Sequence, residues 1–375
     1  MRLKLIVVIV VCTAVFATLS LLHHLQIAHA TSPTNTLVLY DAALGGTPDT
    51  QNMEYAAVNG LLPIIPPKAT QVYSPALQLT VLDTTRQRAD FAGYGVTPTL
   101  SPVLSPALGF KLDFSLRIAA ESHNNNDRAG MSVTFLGEDA KGIELGFWKN
   151  EIWAQEGGTS NLFTHAEGAL FDTTTAVTTY QLEIIHDKYL LSADGNLILS
   201  GPLRDYSAWT PPLPGLPDPY EQPNLIALSD NTTSAEGKTW LSYVAVTTGT
   251  APLMNLIPPT LTISETAGTA VFNVQLNQPP LLTVTVDFGT MDDTAIAGVD
   301  YTAVTGTLSF TPDISSQNIT IPILDNNSFE PERQFHVQLT NPIYAQLGNF
   351  VATAVIQNDD VAPLKKVYLP SVMVP

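Results

Sequence analysis

Apolar residues in this chain recur at every second position, in short runs separated by clusters of Gly, Pro, Asn and Asp, and beyond the N-terminal run no long helical period appears. A period of two places successive side chains on opposite faces of a strand, so each run can bury one face and leave the other in water. The pattern is clear in Phe272, Val274, Leu276, in Val284, Val286, Phe288, in Ile319, Ile321, Ile323 and in Phe335, Val337, Leu339. Turn formers are plentiful, with 28 Pro and 23 Gly, and charged residues make up only 13%. These features fit turn-rich strands and neither helices nor a disordered chain, so the fold class is all-β. At 375 residues the chain exceeds one ordinary core, and two domains are expected.

The pattern divides the chain. Residues 31–248 alternate many short β-branched or aromatic runs with loops, which predicts a large jelly-roll-like antiparallel sandwich. Thr250-Ala251-Pro252 and Ile257-Pro258-Pro259 read as a short Pro-rich linker over 249–260. A second, smaller sandwich is predicted over 261–361, with seven strands at 261–264, 270–276, 283–289, 306–310, 318–323, 333–339 and 351–357. Residues 362–375 form a tail in which Lys365-Lys366 precede a hydrophobic, proline-containing end, readable as a surface-retention tag or a docked terminal strand.

At the other end, Arg2 and Lys4 precede an apolar run from Leu5 to Leu22, and Ala28-His29-Ala30 follows. This is the pattern of a signal peptide over 1–30, with an uncleaved anchor as the alternative. It predicts an extracellular or cell-surface protein with no stable membrane span after cleavage. Cys12 lies inside that run with Val11 before it, where a lipid-attachment site needs a small residue, and it is the only cysteine. Stability outside the cell then rests on packing or on metal ions and not on disulfides. The formal charge of −18 and the lack of a basic patch argue against nucleic acid as a partner.

Strand direction gives the second domain a polarity. If its strands run alternately up and down, the ends of those at 261–264, 283–289, 318–323 and 351–357 emerge at one pole. Glu265, Asp300, Asp325, Glu330, Asp359 and Asp360 follow those four ends, while the opposite pole carries only Asp313. Six converging carboxylates repel one another unless solvent or a cation screens them, and flexible hard oxygen donors favour Ca²⁺ over Mg²⁺. These loops offer no His or Cys for zinc. The alternative is a set of solvated acidic turns without metal. Asp292 and Asp293 are expected to shape a turn, and Gly268 and Gly298 to supply positive φ.

Glu265-Thr266-Ala267-Gly268-Thr269, Asp292 to Tyr301, Gly306-Thr307-Leu308-Ser309-Phe310, Ile321-Pro322-Ile323-Leu324-Asp325, Glu330 to Phe335 and Val355 to Asp360 together resemble the Calx-beta repeat. The resemblance implies an immunoglobulin-like sandwich and assigns Glu265, Asp300, Asp325, Glu330, Asp359 and Asp360 as calcium ligands. The chain departs from the acidic form of that family at Asn326, Arg333 and Asn358, which implies weaker binding or fewer ions.

In the first domain Asp41 to Asp49, Gly142 to Trp148, Ile152-Trp153-Ala154-Gln155 and Leu225 to Ser234 resemble secreted bacterial domains of the concanavalin A-like lectin/glucanase sandwich. Some members hydrolyse glycans with two facing carboxylates. Glu144, Glu151 and Glu156 are the nearest candidates, but the Glu-x-Asp-x-x-Glu strand signature does not occur. The reading set against them is that they are exposed or turn carboxylates. His123, His165, His186 and His336 belong to no nucleophile or metal motif. Trp148, Trp153, Trp209 and Trp240 could stack on sugars or simply pack. The function expected is a non-catalytic binding or adhesion protein whose partner is an extracellular glycan or a cell-surface protein. A secreted glycan hydrolase and a calcium-stiffened spacer are the alternatives.

Overall fold

The computed structural model describes residues 34–96, 100–211 and 218–362. The expected signal segment, and the expected tail from residue 363 on, lie outside the described residues. Strands dominate, and the chain divides into two compact units that change over between Thr250 and Ala251.

The first unit holds two antiparallel sheets of eight strands each among the described residues. Strands Phe110–His123 and Ala235–Thr248 form the centre of one sheet, paired from Phe110 opposite Thr248 to His123 opposite Ala235. The other sheet has Ser132–Leu136 paired to Lys141–Phe147 on one side and to Ile226–Asp230 on the other. Alternation aims Phe110, Leu112, Phe114 and Leu116 from the first sheet, and Val133, Phe135, Ile143 and Leu145 from the second, into one core. Phe114 stacks on Tyr180 at 5.2 Å and meets Phe147 edge-on, and each such buried side chain contributes about 1.5–3 kcal/mol. This is the two-layer antiparallel sandwich expected from the sequence.

Ser132–Leu136 is buried along its whole length, and Lys141–Phe147 along all but its first residue. Half-burial was expected. The outer side of this sheet is instead roofed by Tyr206 and Tyr220, which cluster with Leu136 of the sheet and pack with Phe163 and Trp209.

Among the described residues, the second unit is a smaller sandwich of a four-stranded and a five-stranded sheet. All seven expected strands form, at Thr260–Ser264, Thr269–Leu276, Val284–Asp292, Thr305–Phe310, Ser316–Pro322, Arg333–Ile343 and Val351–Gln357. Two more join them, Leu253–Ile257 and the short Gln346–Leu347. The linker expected over 249–260 is therefore corrected. Leu253–Ile257 pairs with Thr269–Leu276 and buries Met254 and Leu256 in the core. The prolines at 258 and 259 end that strand and leave what precedes them free to pair.

One buried acid of the first unit gives a pH test. Asp230 is fully buried, accepts from Thr84 Oγ1 at 2.6 Å, and is held well above the usual carboxylate range by burial. Between the unfolded and folded values the folded state keeps a proton that the unfolded chain has lost, so stability falls as pH rises from the unfolded value toward the folded one. Asp230→Asn removes that charge, and Thr84 Oγ1 keeps the Gly237 carbonyl at 3.1 Å as an acceptor. The expected result is a melting temperature above the parent's at pH 7, with the difference closing below about pH 4.

Candidate functional site

The acidic pole of the second unit is assembled by one parallel pairing. Thr260–Ser264 lies beside Val351–Gln357 with Ser264 opposite Gln357, so Glu265 and Asn358-Asp359-Asp360 leave the sheet side by side. Ser264 caps a short 3₁₀ turn over Glu265–Ala267, and Gly268 ends it at φ 75°, a conformation that disfavours any Cβ. The Ser264 and Thr266 hydroxyls both donate to Asp359 Oδ2, the latter at 2.6 Å, and hold its carboxyl below the usual range.

Pairing also brings the other two strand ends here. Thr269 lies opposite Pro322, and Ile323 N donates to Gly268 O at 3.0 Å, which delivers Asp325 to the same pole. Val284–Asp292 runs antiparallel to Arg333–Ile343, which runs antiparallel to Val351–Gln357. The loop after Asp292 folds over this end. Tyr301 stacks on Phe335 at 4.1 Å and donates its hydroxyl to Asp292 at 2.6 Å, and Ile296 N donates to Asp300 Oδ2 at 2.7 Å. Asp293 accepts from Gln334. Asp292 and Asp293 thus shape the loop as expected, and Gly298 has φ 83°.

Five of the six acids fall into two groups, and the charge of the sixth, Asp325, acts on the first. Glu265, Asp359 and Asp360 each offer one oxygen, and these three atoms lie within 4.8 Å of one another. Glu265 is only 2% exposed, yet its Oε1 has no hydrogen-bond partner, and neither has the buried Oδ2 of Asp360. Burial and then the charges of Asp360, Asp359 and Asp325 push the Glu265 carboxyl up. Asp300 and Glu330 form the second group. Arg333 donates to both, from Nη1 to Asp300 Oδ2 at 3.2 Å and from Nη2 to Glu330 Oε2, and Asn326 donates to the other Glu330 oxygen. A recess of about 10 Å³, room for roughly one water, lies between the groups and is lined by Glu265, Asp300, Glu330, Arg333 and Asn358.

The acid candidates of the first unit are all engaged. Glu144 is fully buried beneath the aromatic roof and accepts from Tyr220 OH at 2.5 Å and Asn231 Nδ2 at 3.0 Å, with Arg128 Nη1 at 3.9 Å. Glu151 pairs with His165 at 3.1 Å and Glu156 with Arg204 at 2.8 Å. The expectation of exposed or turn carboxylates is corrected for Glu144, because the segment around Tyr206 and Tyr220 folds back over it. Trp148 and Trp153 pack with His123 and His165, and Arg117 covers Trp240. Trp209 lines an open recess of about 150 Å³ with Phe91, Arg128, Tyr220, Ser229 and Asn231.

Compared with known families, residues 249–360 match the family model of the Calx-beta domain. This segment is a Calx-beta domain. The sodium/calcium exchanger Calx of Drosophila melanogaster is 37% identical to the chain over 79 residues, which is 20% of this chain and 8% of the exchanger. This chain therefore spans less than a tenth of that relative's length. Among solved structures, the apo-form Calx CBD1 domain is 31% identical, with a TM-score of 0.29, and the match covers 29% of this chain and 98% of that one. The Ca²⁺-bound VIP36 exoplasmic/lumenal domain is 8% identical, with a TM-score of 0.34, over 56% of this chain and 88% of that one.

The Calx-beta match begins at 249, in keeping with Leu253–Ile257 as a strand of that unit. Within the Calx-beta domain, sequence reasoning missed the hydroxyls of Ser264 and Thr266 and the cationic bridge of Arg333. An arginine three residues after Glu330 was the available signal, and its reach to Asp300 was not. One prediction concerns the metal-free domain. Glu265→Gln replaces a buried charge among like charges with a neutral amide, so in chelator the variant is expected to melt roughly 3 °C or more above the parent.

Proposed function

We propose that this is an extracellular, non-catalytic binding protein whose Calx-beta domain takes Ca²⁺ at Glu265, Asp359 and Asp360, with Asp325 beside them. The observation that carries this reading is the buried, partnerless Oε1 of Glu265 among converging carboxylates. A buried anion without a donor is costly, and a hard divalent cation supplies the missing charge. The site offers carboxylate oxygens and the hydroxyls of Ser264 and Thr266, and no imidazole or thiolate, which fits calcium better than a softer metal. Bound calcium would tie the ends of Thr260–Ser264, Ser316–Pro322 and Val351–Gln357 together and stiffen that pole.

Calorimetric titration of chelator-stripped protein tests this. Saturable Ca²⁺ binding is expected, with a stabilisation of about 2.7 kcal/mol at a hundredfold excess over Kd. A Glu265→Gln plus Asp359→Asn variant should lose both effects. No heat and no shift in the parent would leave the pole as solvated turns.

For the first sandwich we propose a glycan as partner, bound in the recess that Trp209 lines. Trp209 and Tyr220 offer apolar ring faces, while Arg128, Ser229 and Asn231 offer polar groups, the mixture that small-ligand sites use. A glycan array should show binding that Trp209→Ala weakens roughly tenfold. Calcium stiffening with no glycan retained by the parent would instead support a spacer. Among the described residues no helix is long and apolar enough to cross a membrane.

A further inference from the structure

In the first unit, the loop that joins Glu54–Asn59 to Thr70–Ser74 connects the end strands of the two sheets and is built inside out. Leu61, Leu62, Ile64 and Ile65 are 40–90% exposed, while the polar side chains at its base, Asn59 and Asp90, are buried. Elsewhere among the described residues no two consecutive large apolar side chains are both exposed. Single exposed aliphatic residues are ordinary on a protein surface, but four in five positions form a patch that calls for a partner.

The base is closed by hydrogen bonds. Asn59 Oδ1 accepts from Leu61 N at 3.2 Å and Leu62 N at 2.8 Å, and Asn59 Nδ2 donates to Asp90 Oδ1 at 3.2 Å. Asp90 Oδ2 accepts from Lys68 N and from Ala69 N, and Gly60 N donates to Ala89 O at 2.7 Å. Ile65 N donates to Leu62 O at 2.8 Å. The ten residues from Gly60 to Ala69 include three prolines, so seven N–H groups remain, and six of them donate within the protein. Pro63, Pro66 and Pro67 fix φ, and the Phe91 ring lies 2.6 Å from where a Cβ on Gly60 would stand. The apolar tip is therefore stiff and has few backbone donors left for water.

We propose that Leu61, Leu62, Ile64 and Ile65 form an anchor that enters the interfacial layer of a lipid bilayer. Backbone entering a bilayer must have its donors satisfied internally or lack them, and this loop meets that condition at nine of its ten residues. Its outermost side chain, Ile64, is 90% exposed, which makes the tip a convex knob. A fluid lipid surface accepts such a knob without the shaped pocket that a protein partner would have to provide. Charge agrees with this choice. No Asp or Glu occurs from Tyr55 to Leu82 in a chain that has 34, and Lys68 is exposed at the base, where a long side chain can meet lipid phosphate. The net charge of −18 makes attachment a matter of apolar insertion, so the surface it fits is zwitterionic and not anionic. Four aliphatic side chains give reversible docking, of the order of the ~10⁴ M⁻¹ that one acyl chain provides. Neither the calcium nor the glycan reading enters this inference.

Flotation of the full chain with phosphatidylcholine vesicles tests it, comparing the parent with Leu61→Ser plus Ile64→Ser. Depth is read with Ile64→Trp and lipids brominated on their acyl chains. The parent is expected to float with the vesicles at low and high salt alike, and in chelator. The double variant should melt as the parent does and partition at least about tenfold more weakly. Fluorescence of Ile64→Trp should be quenched by the brominated lipid beyond any quenching of the parent's own tryptophans. Equal partition of parent and double variant without quenching at position 64 overturns the proposal and assigns attachment to the apolar run from Leu5 to Leu22. Failure of the parent to partition overturns it as well. In that case, self-association seen by sedimentation in the parent and lost in the double variant would assign the loop to a second copy of this chain.

Discussion

The parallel ladder between Thr260–Ser264 and Val351–Gln357 is the constraint on which the acidic pole depends. Five consecutive pairs fix Ser264 beside Gln357, and the next residue on one strand is Glu265 while the other continues into Asn358-Asp359-Asp360. Neighbouring strands lie about 4.8 Å apart, so side chains leaving both ends cannot avoid one another. The same ladder places the Ser264 hydroxyl against Asp359, and the Gly268 turn then reverses the chain into the opposite sheet.

That placement has an electrostatic cost, met differently in the two halves of the pole. Asp359 is exposed and takes hydroxyl donors, which lower its proton affinity. Glu265 is buried with like charges around it, which raises its own. Asp300 is as buried as Glu265 but has a main-chain donor and Arg333. Two carboxylates of similar burial therefore lie in opposite situations, and only the one without a donor has an evident need for an external cation.

The first sandwich shows a related principle on a sheet face. Glu144 points away from the main core, where strand alternation would leave it wet. Tyr206, Tyr220, Phe163 and Trp209 pack over it, and the Tyr206 hydroxyl accepts from Glu144 N while donating to Gln155 O. Burial pushes both tyrosine hydroxyls well above their ordinary range, so they remain protonated donors to the groups beneath. The result is a filled polar cluster under an aromatic cover, with the Trp209 recess beside it.

Period-two alternation determined the all-β class, the two sandwiches and seven strands of the second, because strand periodicity is a local property of side-chain order. Strand direction also determined which carboxylates belong to one pole, since that follows from alternating up and down through a sandwich. The sequence reading missed Leu253–Ile257, whose short apolar alternation next to Pro258 looked like a linker until Thr269–Leu276 supplied its hydrogen bonds. Only the tertiary structure decided how the six acids are shared between Arg333 and one another, and that Glu144 is roofed over. Both depend on side chains reaching across from distant elements, Arg333 to Asp300 and Tyr220 to Glu144, and spacing along a chain does not encode those distances.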